Sequence, residues 1–228
     1  MLRFDKAVFL QGAFSISADL GVAAGKVTAV IGPSGAGKST LLHGVAGFVP
    51  QTSGRLLWDG GAIEGQTPDC RPVSMLFQDN NLFPHLTVLQ NVALAVSPKL
   101  RPVGDVVEQV EAMLEQVGLK GLSGRKPSGL SGGQQSRVAL ARALLQDRPV
   151  MLMDEPFSAL GPALKNEMLD LSVSLAAGRT VIMVTHDPSD AVRSAHEVIG
   201  VADGKAWVPM DTSAFMARPP EPMRDYFK

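Results

Sequence analysis

The stretch Gly32-Pro33-Ser34-Gly35-Ala36-Gly37-Lys38-Ser39-Thr40 decides how this chain folds. It has the pattern G-x-x-x-x-G-K-S of a phosphate-binding loop. Residues 27–31, directly before it, are apolar and rich in β-branched side chains, which is typical of a buried parallel strand. Residues 39–46, after it, place their apolar side chains on one face and predict a helix. A strand, a glycine-rich loop and a helix in this order are the context that favours nucleotide binding.

The residue types of the loop explain how it would hold a polyanion. Gly32, Gly35 and Gly37 have no Cβ, so we expect positive φ and backbone N–H groups that turn inward. Lys38 is expected to reach the β- and γ-phosphates, and the hydroxyl of Ser39 to bind Mg²⁺. The predicted ligands are therefore ATP and Mg²⁺. The residues of the loop that are predicted to bind ATP are Gly32, Ser34, Gly35, Ala36, Gly37, Lys38, Ser39 and Thr40. A glycine-rich turn that binds nothing is the alternative, and the complete motif with its flanking elements argues against it.

Composition and charge exclude several classes of protein. The chain has 228 residues, 45% of them hydrophobic, which suits one large domain or two small ones. A net charge of −1 gives no reason to expect binding to nucleic acid. Cys70 is the only cysteine of the sequence, which excludes an internal disulfide. The sequence shows no secretory signal and no apolar run of about 18 residues, so we expect a cytoplasmic protein, and any membrane spans would belong to another chain.

The spacing of apolar residues predicts two β-rich segments on either side of a helical insert. The strands are predicted at residues 2–10, 14–20, 27–31, 53–59, 72–78, 150–153, 180–185, 197–201 and 205–209, and a turn at Gly60-Gly61 ends the fourth of them. The helices are predicted at residues 39–46, 103–117, 128–145 and 162–177. We therefore expect a single domain, residues 1–228. Within it, residues 1–84 and 149–228 would form an α/β nucleotide-binding core with a β part, and residues 85–148 a helical subdomain.

A second nucleotide-binding pattern is the apolar strand at residues 150–153, which is followed by Asp154 and Glu155. An aspartate at the end of a strand beside a phosphate loop can bind Mg²⁺. The next acid, Glu155, then faces the γ-phosphate and can polarise a water molecule as a general base. A strand followed by a solvated acidic turn is the alternative, which the preceding phosphate loop disfavours.

A third pattern is Leu130-Ser131-Gly132-Gly133-Gln134, followed by an apolar helix. Ser131 is a good N-cap, and the two glycines leave backbone N–H groups uncovered at the start of the helix. The pattern predicts a second anion site, formed by Ser131, Gly132, Gly133 and Gln134. A helix that is merely well capped is the alternative interpretation.

Together these motifs resemble those of the ATP-binding subunits of ABC transporters, over essentially the whole chain. Residues 130–134 are similar to the signature motif of that family. The resemblance implies an α/β fold, a P-loop NTPase core of ABC ATPase type with an inserted helical subdomain and a small antiparallel β subdomain. It also implies that Gln78 stands at the position of the Q-loop glutamine and His186 at that of the switch histidine. A lone histidine is more often a hydrogen-bonded residue of the core or of a loop without a functional role. His186, however, ends an apolar strand that follows Glu155 in the sequence.

The same resemblance assigns roles to these residues. The implied catalytic residues are Glu155, His186 and Gln78. The implied magnesium ligands are Ser39, Gln78 and Asp154. The resemblance further implies that two subunits pair head to tail, with each ATP held between the phosphate loop of one and the signature motif of the other.

The partners follow from the resemblance as well. We expect a homodimer in the ATP-bound state, integral membrane permease subunits, and indirectly a periplasmic or extracellular solute-binding protein, but no nucleic acid. The expected location is the cytoplasmic face of the inner membrane, as a peripheral protein.

The stretch at residues 71–88 is similar to the corresponding part of bacterial thiamine importer ATPases. The short chain, which leaves no room for a further regulatory domain, fits the same group. The expected function is therefore an ATPase that powers a thiamine importer. Importers of sulfate, ferric iron, molybdate or polyamines stay open as alternatives, as does a weakly hydrolysing regulator. An ABC ATPase acting on DNA or ribosomes and a P-loop kinase fit less well, because the chain has one nucleotide domain, no basic patch and a signature motif.

Three positions depart from the family pattern. Gln11 stands where these ATPases usually have an aromatic ring that stacks on adenine. We therefore expect loose base recognition, with Phe9 or Phe14 as a substitute only if the loop shifts. Gly161 stands where an aspartate usually helps to order the dimer interface, so slower or less coupled hydrolysis is expected. Residues 135–136, Gln-Ser, replace a common Arg-Gln pair and are interpreted as a surface variation of the helix.

Overall fold

The computed structural model describes residues 1–227, so Lys228, the last residue of the expected domain, lies outside the described part. Within residues 1–227 the chain forms one sheet of 11 strands and seven α-helices. The strands are β1 (Leu2–Gln11), β2 (Phe14–Val22), β3 (Val27–Ile31), β4 (Gln51–Trp58), β5 (Gly61–Ala62), β6 (Val73–Leu76), β7 (Val150–Asp154), β8 (Thr180–Val184), β9 (Glu197–Ala202), β10 (Lys205–Ala206) and β11 (Met210–Asp211). The helices are α1 (Lys38–Ala46), α2 (Val88–Ala93), α3 (Asp105–Gln116), α4 (Gly132–Leu145), α5 (Pro162–Leu175), α6 (Pro188–Ser194) and α7 (Thr212–Ala217). Short 3₁₀ segments lie at Pro127–Gly129 and Glu221–Phe227.

Part of the sheet is parallel, in the strand order β6-β7-β8-β3-β9. β3, β7 and β8 are buried along their whole length, as expected for apolar runs that are covered on both faces. Because these strands run in the same direction, their carboxyl ends lie along one edge of the sheet. The phosphate loop follows β3, the acidic pair lies at the end of β7, and His186 follows β8. The topology therefore brings three predicted motifs to that edge.

The antiparallel part of the sheet comes mainly from the start of the chain. β1 pairs with β2 and β4, and β4 pairs with β5, all in antiparallel fashion. β10 joins the two parts, because it runs parallel to β2 and antiparallel to β9. The antiparallel β region expected from the sequence is thus continuous with the nucleotide-binding sheet.

Hydrophobic side chains cover both faces of the parallel strands. On β7, Val150 and Leu152 belong to the cluster that includes α1, while Met151 and Met153 belong to the cluster that includes α2, α3, α4 and α5. This alternation is the two-residue period of a strand. One cluster therefore joins the helices of the insert to the sheet, and the domain division after residues 84 and 148 stays a prediction.

The structure differs from the prediction in three helices that the sequence did not indicate, α2, α6 and α7, and in the extent of one strand. α2 lies outside the predicted helices, because its 6 residues are too few for a helical pattern to stand out. A capping box fixes its start: Thr87 Oγ1 accepts from the backbone N–H of Gln90, and Gln90 Oε1 accepts from that of Thr87. The strand predicted at residues 205–209 is wrong in extent. β10 ends at Ala206 and β11 begins at Met210, directly after a proline that cannot donate to a ladder.

Arg71 is buried and holds the C-terminal end of α1. Its guanidinium donates to the carbonyls of Gly44 at 2.7 Å and Val45 at 2.8 Å, in the last turn of α1. It also donates to the carbonyls of Gln66 and Glu64, each at 3.1 Å. Burial lowers the pKa of Arg71, although arginine remains charged in proteins. A cation at a helix C-terminus is favourable for the helix dipole, so Arg71 fixes α1 and, through it, the phosphate loop.

Candidate nucleotide-binding site

The glycines of the phosphate loop serve two different purposes. Gly35 and Gly37 have φ values of 77° and 103°, as predicted, and Gly37 is the N-cap of α1. Gly32 is not among the residues with positive φ, so the reason predicted for it is wrong. A Cβ on Gly32 would lie 2.0 Å from the carbonyl oxygen of Val201 on β9. Glycine is therefore needed there for the close approach of the neighbouring strand.

Lys38, the first residue of α1, turns its side chain back into the loop. Its ammonium donates to the carbonyl oxygens of Gly32 at 2.8 Å and Pro33 at 2.9 Å. Lys38 is only 6% exposed, and this burial lowers its pKa, while the charges of Glu155 and Asp154 oppose the shift. The two carbonyls hold the cation at the centre of the loop, where phosphate oxygens are stronger partners than neutral carbonyls.

Asp154, at the end of β7, faces the start of α1. Its Oδ1 accepts a hydrogen bond of 2.8 Å from the hydroxyl of Ser39, and its Oδ2 lies 3.1 Å from Nε2 of His43. Among the described residues no group of three or more acids, histidines or cysteines is arranged to hold a metal ion. A hydroxyl and a carboxylate beside a phosphate site nevertheless suit Mg²⁺, which takes few protein ligands and completes its shell with water and phosphate oxygens.

Glu155 follows Asp154 in a strained conformation. Its φ is 43°, and that of Phe157 is 67°. Left-handed conformations of this kind are uncommon outside glycine and cluster at functional sites. The backbone N–H of Glu155 donates to Val184 on β8, and its Oε2 lies 3.0 Å from Nδ1 of His186. The turn therefore points the carboxylate across the ends of the strands toward the histidine.

These groups surround a cavity of about 740 Å³ at the carboxyl edge of the sheet. The cavity is lined by Gln11, Phe14, Gly32, Ser34, Gly35, Gly37, Lys38, Ser39, Thr40, Glu155, His186 and Tyr226. Asp154 is 6% exposed behind Ser39, and Ala36 lines an adjoining cavity of about 370 Å³. The structure thus brings together the phosphate loop, the acidic pair and His186.

Gln78 and the signature motif lie apart from this cavity. Gln78 is exposed just beyond β6. Ser131 is the N-cap of α4 and forms a capping box with Gln134, as the N-cap prediction requires. Ser131 and Gly132 are exposed, so the start of α4 is open to a partner.

The interpretation of residues 135–136 as a surface variation is wrong. Ser136 is only 3% exposed. The side chain of Gln135 donates to the carbonyls of Pro127 at 3.1 Å and Leu130 at 3.3 Å. Gln135 therefore ties the signature loop to α4.

The structure places the residues that the sequence suggested for the base and adds Tyr226 to the lining of the cavity. Gln11 is held by a hydrogen bond of 2.8 Å from Thr40. Phe14 lines the cavity, whereas Phe9 is completely buried in the core, so of the two only Phe14 is placed to meet a base. The hydroxyl of Tyr226 donates to the carbonyl of His186 at 2.5 Å. Nothing in the sequence near Tyr226 indicates this contact.

Comparison with known proteins agrees with this arrangement. Residues 17–158 match the family model described as ABC transporter. The chain belongs to the ABC transporter family. Curated relatives in this family include thiamine import ATP-binding protein ThiQ of Cereibacter sphaeroides, which is 56% identical over 99% of each chain. The proteins of the same name from Ruegeria sp. and Jannaschia sp. are 51% and 47% identical over nearly their full lengths.

Solved ABC cassettes share the fold. A dimeric cassette, MJ0796, in a post-hydrolysis state with ADP and Pi has a TM-score of 0.79 and 28% identity, covering 93% of this chain and 99% of its own. A nucleotide-free cassette from an ABC transporter has a TM-score of 0.86 and 25% identity, covering 100% of this chain and 99% of its own. The fold is therefore an α/β P-loop NTPase of the ABC ATPase type, as predicted.

A second surface cavity of about 330 Å³ shares none of its lining residues with the nucleotide cavity. Its apolar lining residues include Phe48, Val73, Met75, Phe77, Leu94 and Ala95, and its polar ones are Asp69, Gln146 and Arg148. Phe48 is 53% exposed, which is high for a phenylalanine.

Among the described residues, no helix has the length and apolar character needed to cross a bilayer.

Proposed function

We propose that this chain hydrolyses ATP to power thiamine import by an ABC transporter. The observation that carries the proposal is the 56% identity, over 99% of both chains, to a thiamine import ATP-binding protein. The cavity at the edge of the sheet supports it, because the phosphate loop, Glu155 and His186 all line that cavity. An ATPase that moves a solute needs such a site and a surface for membrane subunits.

The lining residues divide the work of hydrolysis among them. Lys38 binds the β- and γ-phosphates in place of the loop carbonyls. Glu155 acts as the general base for the attacking water, and His186 contacts the γ-phosphate. When bound, Mg²⁺ neutralises charge on the phosphates. Its proposed protein ligands are Ser39, Asp154 and Gln78.

ATP would complete its site in a homodimer. The exposed start of α4, with Ser131 and Gly132, offers N–H groups and a helix dipole to a phosphate of the partner. The signature motif does not line the cavity of its own chain, which supports a head-to-tail pair. The solved cassette MJ0796, which has the same fold, is dimeric.

The apolar cavity beside Phe48 and Phe77 is the proposed docking surface for the permease. Phe83 and Val96, 45% and 43% exposed, add apolar surface in the same part of the sequence. We infer a peripheral location at the cytoplasmic face of the inner membrane, where the permease and ATP meet. The solute-binding protein would act through the permease.

Reconstitution in proteoliposomes with the permease and solute-binding protein of the same system tests the function. We expect thiamine-loaded binding protein to stimulate ATP hydrolysis severalfold, and Lys38→Ala or Glu155→Gln to abolish the stimulation. Stimulation by another loaded solute, such as sulfate, ferric iron, molybdate or a polyamine, would keep the importer and discard thiamine. No response to any of these would favour a weakly hydrolysing regulator, an alternative for which Gly161 is the motivating residue.

The dimer has its own test. Glu155→Gln binds ATP but cannot use the carboxylate as a base, so with ATP and Mg²⁺ it should elute as a dimer. Glu155→Gln combined with Ser131→Arg should bind ATP and stay monomeric, because the arginine blocks the start of α4. A Glu155→Gln variant that binds ATP yet remains monomeric would contradict the head-to-tail pair.

A further inference from the structure

The C-terminal segment is anchored on the sheet beside the nucleotide site. Phe215 on α7 is 1% exposed and Met223 is 0% exposed, and both belong to one cluster with β3 and β9 residues. Gly200 on β9 makes room for them, because a Cβ there would lie 3.2 Å from Met223 and 3.3 Å from the ring of Phe215. The segment is therefore packed against the sheet as part of the core.

The 3₁₀ geometry of this segment carries Tyr226 to the cavity. In a 3₁₀ helix, side chains three residues apart lie on the same face. Met223 and Tyr226 are three apart within Glu221–Phe227, so both face the sheet. Met223 is buried over β9, and Tyr226 packs against the same cluster while lining the nucleotide cavity.

The Tyr226 hydroxyl holds the backbone of His186 in the switch loop, residues 185–187, which joins β8 to α6. Thr185, before His186, is 3% exposed and donates to Asp190. Asp187, which follows His186, caps α6 and forms an ion pair with Lys165. The ring of His186 is 60% exposed, and its carbonyl accepts from Tyr226.

We propose that Tyr226 is a positioning residue, which fixes the backbone of His186 so that the imidazole stays beside Glu155 and the γ-phosphate site. The inference rests on the proposed role of His186 in ATP hydrolysis. Burial and the nearby carboxylates of Asp187 and Glu155 raise the pKa of Tyr226, so its hydroxyl remains a donor at neutral pH. The segment that ends the described chain thus becomes part of the ATPase site.

Steady-state ATPase kinetics of the full chain test the proposal. Tyr226→Phe keeps the ring and removes only the hydroxyl, so we expect kcat to fall about three- to tenfold, the loss typical of one hydrogen bond, with an unchanged KM for ATP. In a His186→Ala background the same change should alter kcat less than about twofold, because the group it positions is gone. Arg224→Ala, an exposed change in the same segment, is the matched control and should leave the rate unchanged.

A spectroscopic measurement tests the contact independently of turnover. Tyr226 is the single tyrosine of the chain, so 3-fluorotyrosine gives one ¹⁹F resonance. We expect that resonance to differ from its position in the denatured chain and to move when ATP and Mg²⁺ are added to Glu155→Gln. A resonance at the denatured position would mean that the segment is detached and would overturn the proposal.

The kinetic outcomes separate this proposal from the function on which it rests. If His186→Ala hydrolyses ATP as fast as the unmodified chain, the proposed role of His186 fails. If His186→Ala is impaired while Tyr226→Phe retains its kcat, or gains activity, only the positioning role is overturned. Equal losses from Tyr226→Phe in both backgrounds would also overturn it, because they would indicate a general effect on stability.

Discussion

Gly161 is the residue whose replacement should reveal most about hydrolysis. It is the N-cap of α5, with φ −64° and ψ 156°, and makes no side-chain cap hydrogen bond. A Cβ built on Gly161 has no atom within 4 Å. Any residue can therefore adopt this backbone without strain, and Pro162 at the first helical position keeps the start of the helix fixed.

Gly161→Asp should stabilise the chain and speed hydrolysis. The new carboxylate caps α5, so we expect the free energy of unfolding to increase by a few tenths of a kcal/mol. It also adds a charge to the proposed dimer interface, so we expect a higher ATPase rate. Gly161→Asn is the matched control, because it caps equally well without the charge. Urea denaturation and ATPase assays give the two quantities. An aspartate variant no faster than the asparagine variant would argue against a role for the missing carboxylate.

Gln11→Tyr should tighten ATP binding through the base. A ring at position 11 lies at the mouth of the cavity, where stacking adds about 0.5–1.5 kcal/mol, or roughly two- to tenfold in Kd. Gln11→Leu loses the bond from Thr40 without adding an aromatic ring and is the control. Calorimetry with ATP and with inorganic triphosphate separates base from phosphate binding. Equal gains for both ligands would mean that the ring does not meet the base.

The sequence predicted the site wherever local pattern and chemistry coincide. The positions of Lys38 and Ser39 in the loop follow from the motif, and the structure places their side chains beside loop carbonyls and Asp154, while their binding roles stay predictions. The need for glycine at position 32 could not be predicted in this way, because it comes from the close approach of Val201 on β9, which is far away in the sequence. The contact of Tyr226 with His186 gave no signal in the sequence for the same reason. Contacts between distant segments depend on the fold, which a motif does not describe.

Two helices are joined by ion pairs next to the switch loop. Lys165 on α5 contacts Asp187 at 3.0 Å and Asp190 on α6 at 2.7 Å. Asp187 also accepts from the backbone and hydroxyl of Ser189. These hydrogen bonds, from Ser189 first and Lys165 next, lower the pKa of Asp187 from 3.8 to about 2. The charge of Asp187 therefore helps to dock α6 on α5.

Asp187→Asn should lower stability at neutral pH and lose its effect in acid. A carboxyl whose pKa is depressed on folding stabilises the chain above its ordinary pKa of 3.8 and loses that contribution as the pH falls to about 2. Because the Asp187 side chain is 39% exposed, we expect only about 0.5–1 kcal/mol at pH 7. Urea unfolding of both proteins between pH 2 and pH 7 measures this difference in the free energy of unfolding. Asp79→Asn, at an exposed carboxylate, is the control. A difference that persists undiminished at pH 2 would contradict the ion-pair account.

At the level of elements, the sequence predicted the long helices and the buried strands better than the short helices. The buried strands β3, β7 and β8 and the long helices α3, α4 and α5 lie within a few residues of their predicted ranges, and the largest difference is the start of α4 at Gly132 instead of residue 128. α2 was not predicted, because it has few apolar residues and its clearest sequence feature is the capping box at its start. The buried cation of Arg71 was equally unpredictable, since its four carbonyl partners come from two separate segments.

Across the whole molecule, a row of rings lies between the nucleotide site and the apolar cavity. His43 approaches Asp154 at 3.1 Å, and its ring packs edge-on against Phe48 with centroids 6.2 Å apart. Phe48 in turn lies 5.9 Å from Phe77, which precedes Gln78. A permease element seated on Phe48 would thus be separated from Asp154 by one ring, that of His43, and this proximity is what coupling requires.

Phe48→Asp should separate ATP binding from transport. The ring is 53% exposed, so its loss costs little stability, but a carboxylate at this position would have to be desolvated when the permease docks. We expect ATP binding by the isolated chain to change less than about twofold, while permease-dependent stimulation falls at least tenfold, since each 1.4 kcal/mol of lost docking energy is a factor of ten. Val208→Asp, at an exposed apolar residue of a different cavity, is the matched control and should keep full stimulation. If both variants remain fully stimulated in proteoliposomes, the permease docks elsewhere, and the row of rings has no part in coupling.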